Sequence, residues 1–233
     1  MGRPLIIPYR SVLKGTLALF KTDRYRTCTL RHMDSGAGTK PGRPRGFDAE
    51  AALERATRVF WEQGYDGASL ADLTAAMGIT RTSMYAAFGN KDELFRLALE
   101  RYTQDGTEYA ADALGRPTAR EVAETFLHGA ALASTRPGYP PGCLGVQGSL
   151  AAGPTARNAR DALIAWRNEG VTHLRDRFQR AVDEGDLPAT ATPVDLARYV
   201  MTVANGIAVQ AVSGASRAEL ERVATAAMKA WPL

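Results

Sequence analysis

Cysteine is scarce in this sequence, and long hydrophobic runs are missing from it. Two cysteines, Cys28 and Cys143, are too few for a disulfide framework, so we expect a reduced, cytoplasmic protein rather than a secreted one. No stretch reaches the roughly 18 unbroken apolar residues that a membrane span requires. A short apolar run from Val12 to Phe20 is interrupted by Lys14 and is not followed by a small-residue cleavage site. We therefore do not predict a signal peptide.

Motifs of catalysis are also missing. The sequence contains no P-loop, no GxSxG and no HExxH pattern. His128 and His173 are isolated histidines without further ligands at metal-binding spacing. Gly142, Gly145 and Gly148 are spaced GxxGxxG, which differs from the dinucleotide fingerprint, and no strand precedes them. We therefore expect neither an enzyme nor a metal or other cofactor.

Surplus positive charge is confined to the N-terminus. The chain carries 29 Lys and Arg against 25 Asp and Glu, a formal net charge of +4. Residues 1–32 hold seven of the basic residues and one acid, which leaves 22 basic and 24 acidic residues, a net of −2, in the remainder. Affinity for nucleic acid must therefore come from a local patch and not from the field of the whole protein.

Residues 1–40 are predicted to form a basic, unstructured extension. The stretch Ser35 to Gly46, SGAGTKPGRPRG, has the composition of a Gly/Pro/basic linker, and helical periodicity begins only after it. Two interpretations stay open. Translation could naturally start at Met33, or the extension could be a basic arm that DNA attracts.

From Asp48 onwards the pattern is helical. Apolar residues recur at positions 52, 53, 56, 59 and 60, the spacing of one helix face, and Gly64 is expected to end that helix. Further predicted helices start near Ser69, Thr80, Asn90, Thr118, Thr155, Thr192 and Ser216, several of them with a capping box such as Ser69 with Asp72. No strand pattern or tandem repeat appears. About nine helices in a chain of this length predict an all-α fold.

Residues 69–88, SLADLTAAMGITRTSMYAAF, have the pattern of a helix-turn-helix. Gly78 permits the sharp turn between two short helices. Five apolar side chains are expected to lock the helices together: Leu73, Met77, Ile79, Met84 and Phe88. The outward face of the second helix then presents Thr80, Arg81, Thr82 and Ser83, which suit groove edges and phosphates. Helix N-termini at Ser69, Thr80 and Asn90 attract phosphate, with Lys91 beside the third.

Residues 41–102 resemble the DNA-binding domain of the TetR family of bacterial repressors. The resemblance rests on FWEQGYDGASLADLTAAMG followed by GITRTSMYAAFGNKDELF, with the aromatic pair Tyr85 and Phe88 ahead of Lys91. It implies an all-α protein in which a three-helix helix-turn-helix domain, residues 41–92, joins a C-terminal ligand-binding and dimerisation bundle, residues 93–233.

The resemblance also implies roles for individual residues. Tyr85, Lys91 and the hydroxyl of Ser69 would contact phosphate, while Arg81, Thr82 and Ser83 would read bases or the nearby backbone. Upstream, Lys40, Arg43 and Arg45 could follow the DNA backbone or enter the minor groove. Double-stranded, palindromic operator DNA and a second copy of the chain are the implied partners.

The C-terminal half is expected to hold a ligand and the dimer interface. Leu196, Val200, Val203 and Ile207 recur at helical spacing and are interface candidates, although the same periodicity would fit an intramolecular core. An apolar wall with a few polar groups would suit a small molecule. The candidates for that wall are Phe126, Tyr139, Cys143, Gln147, Trp166, His173, Phe178, Met201 and Asn205.

Several functional interpretations follow. We favour a repressor that a small apolar or amphipathic molecule releases from its operator, and nothing in the sequence excludes an activator. Cys143 lies in PPGCLGVQGSLAAG, which resembles a segment of one TetR subgroup, so a thiol-sensing regulator is an alternative. A helical small-molecule-binding protein or an enzyme would be a different class, and neither would explain the well-formed stretch from Thr80 to Lys91.

Overall fold

A computed structural model describes residues 47–150 and 156–231 of the chain. The described residues from Phe47 onwards form one compact unit. Within them we find ten helices and no strand, as the periodicity predicts: α1 (Ala49–Gly67), α2 (Leu70–Met77), α3 (Arg81–Phe88), α4 (Lys91–Gly106), α5 (Glu108–Leu114), α6 (Ala119–Ser134), α7 (Leu144–Leu150), α8 (Arg157–Asp183), α9 (Pro193–Val212) and α10 (Arg217–Met228). No helix among the described residues is both long enough and apolar enough to cross a bilayer.

Helix starts agree with the capping signals in the sequence. At α2, α4, α6 and α10 the N-cap side chain accepts a backbone N–H, and the acid three residues later accepts the N–H of the cap residue. These reciprocal bonds satisfy donors that no helix can satisfy internally. Thr192 precedes α9 with Pro193 at its first position, where a missing N–H costs nothing. The predicted starts of these helices are therefore confirmed.

Two helix boundaries differ from the prediction. Gly64 was expected to end α1, and it does leave the helical conformation, at φ 70° and ψ 178°, but one more turn continues to Gly67 beyond this kink. The short helix α5 was not predicted. It is separated from α4 by Thr107, whose hydroxyl donates to the carbonyl of Thr103 at 2.7 Å. A side chain that bonds the preceding turn in this way is a common cause of a bend.

The helices enclose two hydrophobic clusters. The first, here called the head core, is made by α1 to α4 together with Leu144 of α7 and with Ala156, Ala159 and Leu163 at the start of α8. The second, the bundle core, is made by α5, α6, α9, α10 and the later part of α8, including Leu174 and Phe178. Helix α8 therefore belongs to both clusters and runs from one to the other.

Candidate nucleic-acid interface

The helix-turn-helix has the geometry that its sequence predicts. Gly78 adopts the left-handed conformation, φ 69° and ψ 32°, and the N–H of Ile79 bonds the carbonyl of Thr74 at 3.1 Å to close the turn. Leu73, Met77, Met84 and Phe88 are buried, whereas Ile79 is partly buried. Arg55 of α1, which no sequence pattern singled out, donates to the carbonyl of Met77 at 3.0 Å and so fixes the end of α2.

The outward face of α3 is polar and open. Arg81 and Thr82 are exposed, Ser83 is partly exposed, and the ring of Tyr85 is 48% exposed although tyrosine usually buries its body. These four side chains therefore belong to the solvent-facing part of α3. Lys40, Arg43 and Arg45 lie outside the described residues.

Thr80 and Ser83 share one free hydroxyl hydrogen between them. Their hydroxyl oxygens are 3.0 Å apart, and Thr80 Oγ1 also accepts the backbone N–H of Ser83 at 3.1 Å. One hydroxyl donates to the other, so only one O–H remains to point outward. The pair can therefore offer a single donor to a base edge or a phosphate, and either residue can supply it.

Ser69 is less free than the resemblance implies. Its hydroxyl donates to Asp72 Oδ2 and accepts the N–H of Asp72 at 3.1 Å, so its hydrogen is used within the capping box. Hydrogen bonds from Ser69 lower the pKa of the Asp72 carboxyl, which keeps its negative charge at this helix start. A phosphate contact by the Ser69 hydroxyl would require that this bond to Asp72 be exchanged for one to DNA.

Lys91, at the start of α4, lies beside an aromatic ring and near two carboxylates. Its ammonium lies 4.4 Å from the centroid of the Tyr65 ring, a cation–π distance. That ring is fixed by Phe60 and Phe95, with centroids at 6.2 and 5.3 Å. Partial burial lowers the pKa of Lys91, and the charges of Asp66 and Asp92 oppose this shift. The cation is thus positioned rather than loosely solvated.

Asp92, next to Lys91, joins two parts of the fold. The hydroxyl of Tyr65 donates to its Oδ1, and the side-chain amide of Asn158 at the start of α8 donates to its Oδ2 at 2.8 Å. Burial, followed by the bond to Asp92, raises the pKa of Tyr65, so the phenol remains a donor. Neither Tyr65 nor Asn158 was predicted from the sequence, because a contact between residues 66 positions apart leaves no periodic signal.

The predicted ligand-wall residues lie in two parts of the fold. Phe126, Phe178 and Met201 are buried in the bundle core. Tyr139, Cys143 and Trp166 instead pack against the head core. Gln147, His173 and Asn205 are partly buried. The candidates therefore divide between two clusters.

Cys143 is bonded to Tyr102, an aromatic residue that the sequence prediction did not include among the site residues. The Tyr102 hydroxyl donates to the Cys143 sulfur at 3.1 Å, and the Tyr102 ring lies edge-on to Trp61 at 4.9 Å. Burial raises the pKa of the Cys143 thiol, although the bond from Tyr102 and nearby backbone N–H groups act in the opposite direction. Because the thiolate is the reactive form, this setting disfavours rapid oxidation.

Two of the four expected interface residues belong to the protomer's own core. Val200 is 0% and Ile207 is 1% exposed, so neither side chain has surface left for a partner. The intramolecular alternative is therefore correct for these two, while Leu196 and Val203 are partly buried against the same cluster. The exposed large apolar residues of these helices are instead Val209 (40%) and Val212 (49%) on α9 and Val223 (46%) on α10.

Comparison with known proteins agrees with this architecture. Residues 52–98 match the family described as "Bacterial regulatory proteins, tetR family". The repressor BdcR of Escherichia coli is 33% identical over 190 residues, covering 81% of this chain and 90% of BdcR. The repressor ComR of the same organism is 28% identical over 204 residues, covering 82% of this chain and 92% of ComR.

A solved structure is more similar still. The TetR-family regulator CifR, as a cysteine variant in complex with a 26-bp double-stranded operator, is 43% identical with a TM-score of 0.78. The match covers 82% of this chain and all of the CifR chain. The helix-turn-helix, the all-helical fold and relatives matched over nearly their full length lead to one conclusion: this chain belongs to the TetR family of bacterial transcriptional regulators.

Proposed function

We propose that this chain is a homodimeric repressor that binds a palindromic operator through α3 and leaves it when a small molecule binds the C-terminal half. The observation that carries the proposal is the exposed polar face of α3, Arg81 to Tyr85, on a helix whose other face is fully buried. Helices α1 to α3 with the start of α4 are called the DNA-binding head below. A regulator of this kind acts on DNA in the cytoplasm, and no enzymatic step is part of the proposal.

Base recognition is assigned to Arg81 and to the Thr80–Ser83 pair. An arginine at the first position of a recognition helix can donate two bonds to guanine, while one hydroxyl donor suits a base edge or a phosphate. Tyr85 and Lys91 flank this face and would contact phosphates. Such contacts orient the DNA-binding head without reading sequence.

Dimerisation is assigned to the exposed side of α9 and α10. Val209, Val212 and Val223 are the exposed large apolar residues of these helices, and a second copy of the chain would cover them.

We expect Val209→Glu to shift the protein from dimer to monomer in sedimentation. It should also weaken operator binding, because a monomer no longer links two DNA-binding heads. Leu132→Glu, also at an exposed apolar residue but on α6, is the matched control. A Val209→Glu protein that remains dimeric would place the interface elsewhere.

The ligand half contacts the DNA-binding head through more than α4. Arg58 of α1 donates to the carbonyl of Gly138 at 2.8 Å, and its guanidinium lies 4.7 Å from the centroid of the Tyr139 ring. A ligand that displaces the loop around Tyr139 would therefore act directly on α1. Such displacement requires that the ligand bind the DNA-free state more tightly than the DNA-bound one.

The experiment that tests the proposal is fluorescence anisotropy on DNA from upstream of the gene, beside a random duplex, at two salt concentrations. Saturable, nanomolar binding that is far tighter than on the random duplex is the expected result. Arg81→Ala should lose roughly 1–3 kcal/mol on the specific DNA and little on the random duplex. Equal, weak binding of the wild type to both duplexes, followed by failure to select any genomic fragment, would contradict the proposal.

Thiol sensing by Cys143 is the weaker alternative, because burial raises the pKa of its thiol. An oxidant would distinguish it from ligand release. If hydrogen peroxide releases the wild type but not Cys143→Ala from DNA, the thiol is the sensor.

A further inference from the structure

We propose that Asn158, at the start of α8, controls the phosphate contact of Lys91 by holding the carboxylate of Asp92 away from the ammonium. The inference rests on the proposed function and deepens it. It gives the ligand half an electrostatic route to the DNA-binding surface that requires no change in the separation of the two heads.

The carboxylate of Asp92 is bound by two neutral donors. Tyr65 bonds one oxygen and Asn158 bonds the other, the latter at 2.8 Å. These two bonds lower the pKa of Asp92 more than the charges of Arg96 and Lys91 do. In this arrangement the Asp92 carboxylate accepts hydrogen bonds from two neutral side chains. The Lys91 ammonium lies over the Tyr65 ring.

Loss of the Asn158 bond would change that balance. A carboxylate oxygen that loses a donor gains by pairing with a nearby cation, since charge-assisted bonds are the stronger ones. Two cations act on Asp92, first Arg96 and then Lys91, and Lys91 is the one of these that the proposed function places against a phosphate. An ammonium paired with Asp92 is partly neutralised and competes less well for a phosphate. Release of Asp92 thus removes one phosphate contact from each head.

Helix α8 can supply that release. Its first turns pack in the head core through Ala159 and Leu163, and its later turns pack in the bundle core through Leu174 and Phe178. Its 27 residues run without a break, and a helix transmits displacement along its axis because its backbone bonds are internal. A shift of α8 caused at the bundle core therefore reaches Asn158. A hydrogen bond of 2.8 Å is lost after a displacement of about 1 Å.

The test imitates release without any ligand. Operator DNA and a random duplex are titrated with the wild type and with Asn158→Ala at several salt concentrations, because a phosphate contact is independent of sequence. Asn158→Ala should flatten the plot of log affinity against log salt by about one unit for each head that binds. Near 0.15 M salt this corresponds to a loss of roughly fivefold per head on both duplexes.

A second variant distinguishes a role of Asn158 in positioning Asp92 from a purely structural role of Asn158. Asn158→Ala combined with Asp92→Asn removes the carboxylate that Asn158 binds and leaves Asp66 acting on Lys91 as it does in the wild type, so the wild-type salt slope should return. Asn168→Ala is the matched control, since it removes an exposed asparagine of the same helix that lies ten residues after Asn158 in sequence. Urea unfolding of each variant verifies that the fold is retained.

Three results would count against the inference in different ways. An unchanged slope in Asn158→Ala would show that Asp92 does not capture Lys91. A flattened slope that Asp92→Asn fails to restore would make Asn158 a structural residue only. A wild type without specific binding to any genomic fragment would remove the proposed function itself, and this inference with it.

Discussion

Gly145 should not tolerate a methyl group. A Cβ built at this position would lie 2.2 Å from Cζ3 and 2.5 Å from Cε3 of Trp166, well inside van der Waals contact. The indole cannot simply move away, because its Nε1 donates to Thr103 Oγ1 at 2.8 Å and its ring packs beside Tyr102. Gly145→Ala therefore forces α7 away from α8 or displaces the indole.

Either response lowers the free energy of unfolding. Overpacking of a filled core costs typically 1–3 kcal/mol, and a displaced indole forfeits a net hydrogen-bond contribution of roughly 1 kcal/mol. Alanine recovers up to about 1 kcal/mol because it restricts the unfolded chain more than glycine does. We expect a net loss of about 1–3 kcal/mol, which lowers Tm by about 2–12 °C in a domain of this size.

Urea and thermal unfolding at one fixed protein concentration measure this loss, since the stability of a dimer depends on concentration. Gly67→Ala is the control, because its Cβ would meet only Gln63 Cβ at an ordinary 3.4 Å. Combining Gly145→Ala with Trp166→Leu should cost less than the sum of the single changes. A loss below 0.5 kcal/mol for Gly145→Ala, within the usual range of neutral surface changes, would refute the fixed position of the indole.

Three further predictions concern the turn, the acid response and the thiol. Gly78→Ala should lower the free energy of unfolding in urea by about 1–2 kcal/mol. The whole loss should come from the positive φ of this residue, since no atom lies within 4 Å of the added carbon. An unchanged free energy of unfolding would contradict this. Because hydrogen bonds lower the pKa of Asp92 in the folded state, its contribution to stability is present above roughly pH 4 and is lost as the pH falls through that lowered pKa. Unfolding between pH 2 and 7 should therefore show a smaller acid loss in Asp92→Asn than in the wild type, and equal losses would disprove the assignment. In a Cys28→Ser background, Cys143 should react with iodoacetamide at pH 8 more slowly than free cysteine, because burial raises its pKa; an equal rate would show an accessible thiolate.

Local signals in the sequence were enough to predict the DNA-binding head. Ser69 with Asp72, and Asn90 with Glu93, are bonds between residues three apart, and Gly78 sits in the turn that it makes possible. Periodicity also separated the buried face of α3 from the exposed one. These features depend on neighbours along the chain, which is why a single sequence reveals them.

Contacts between distant segments could not be predicted in the same way. The periodicity of α9 showed that Val200 and Ile207 face something apolar, and only the fold showed that it is their own bundle core. Asn158 and Tyr65 look like ordinary polar and aromatic residues until α8 and α1 bring them to Asp92. The division of the predicted ligand-wall residues could not be foreseen for the same reason, because Phe178 and Trp166 lie on one helix but pack in different clusters.

The shared head core has a practical consequence for building chimeric regulators. Leu144, Ala156, Ala159 and Leu163 come from the C-terminal half, yet they complete the apolar interior beneath the helix-turn-helix. A fragment cut after residue 92 would expose that interior to water, and so would a fusion that replaces everything beyond it. To move this DNA specificity onto another sensor, the transplanted piece must bring α4, α7 and the first two turns of α8 with it, or the new sensor must offer apolar side chains of the same shape.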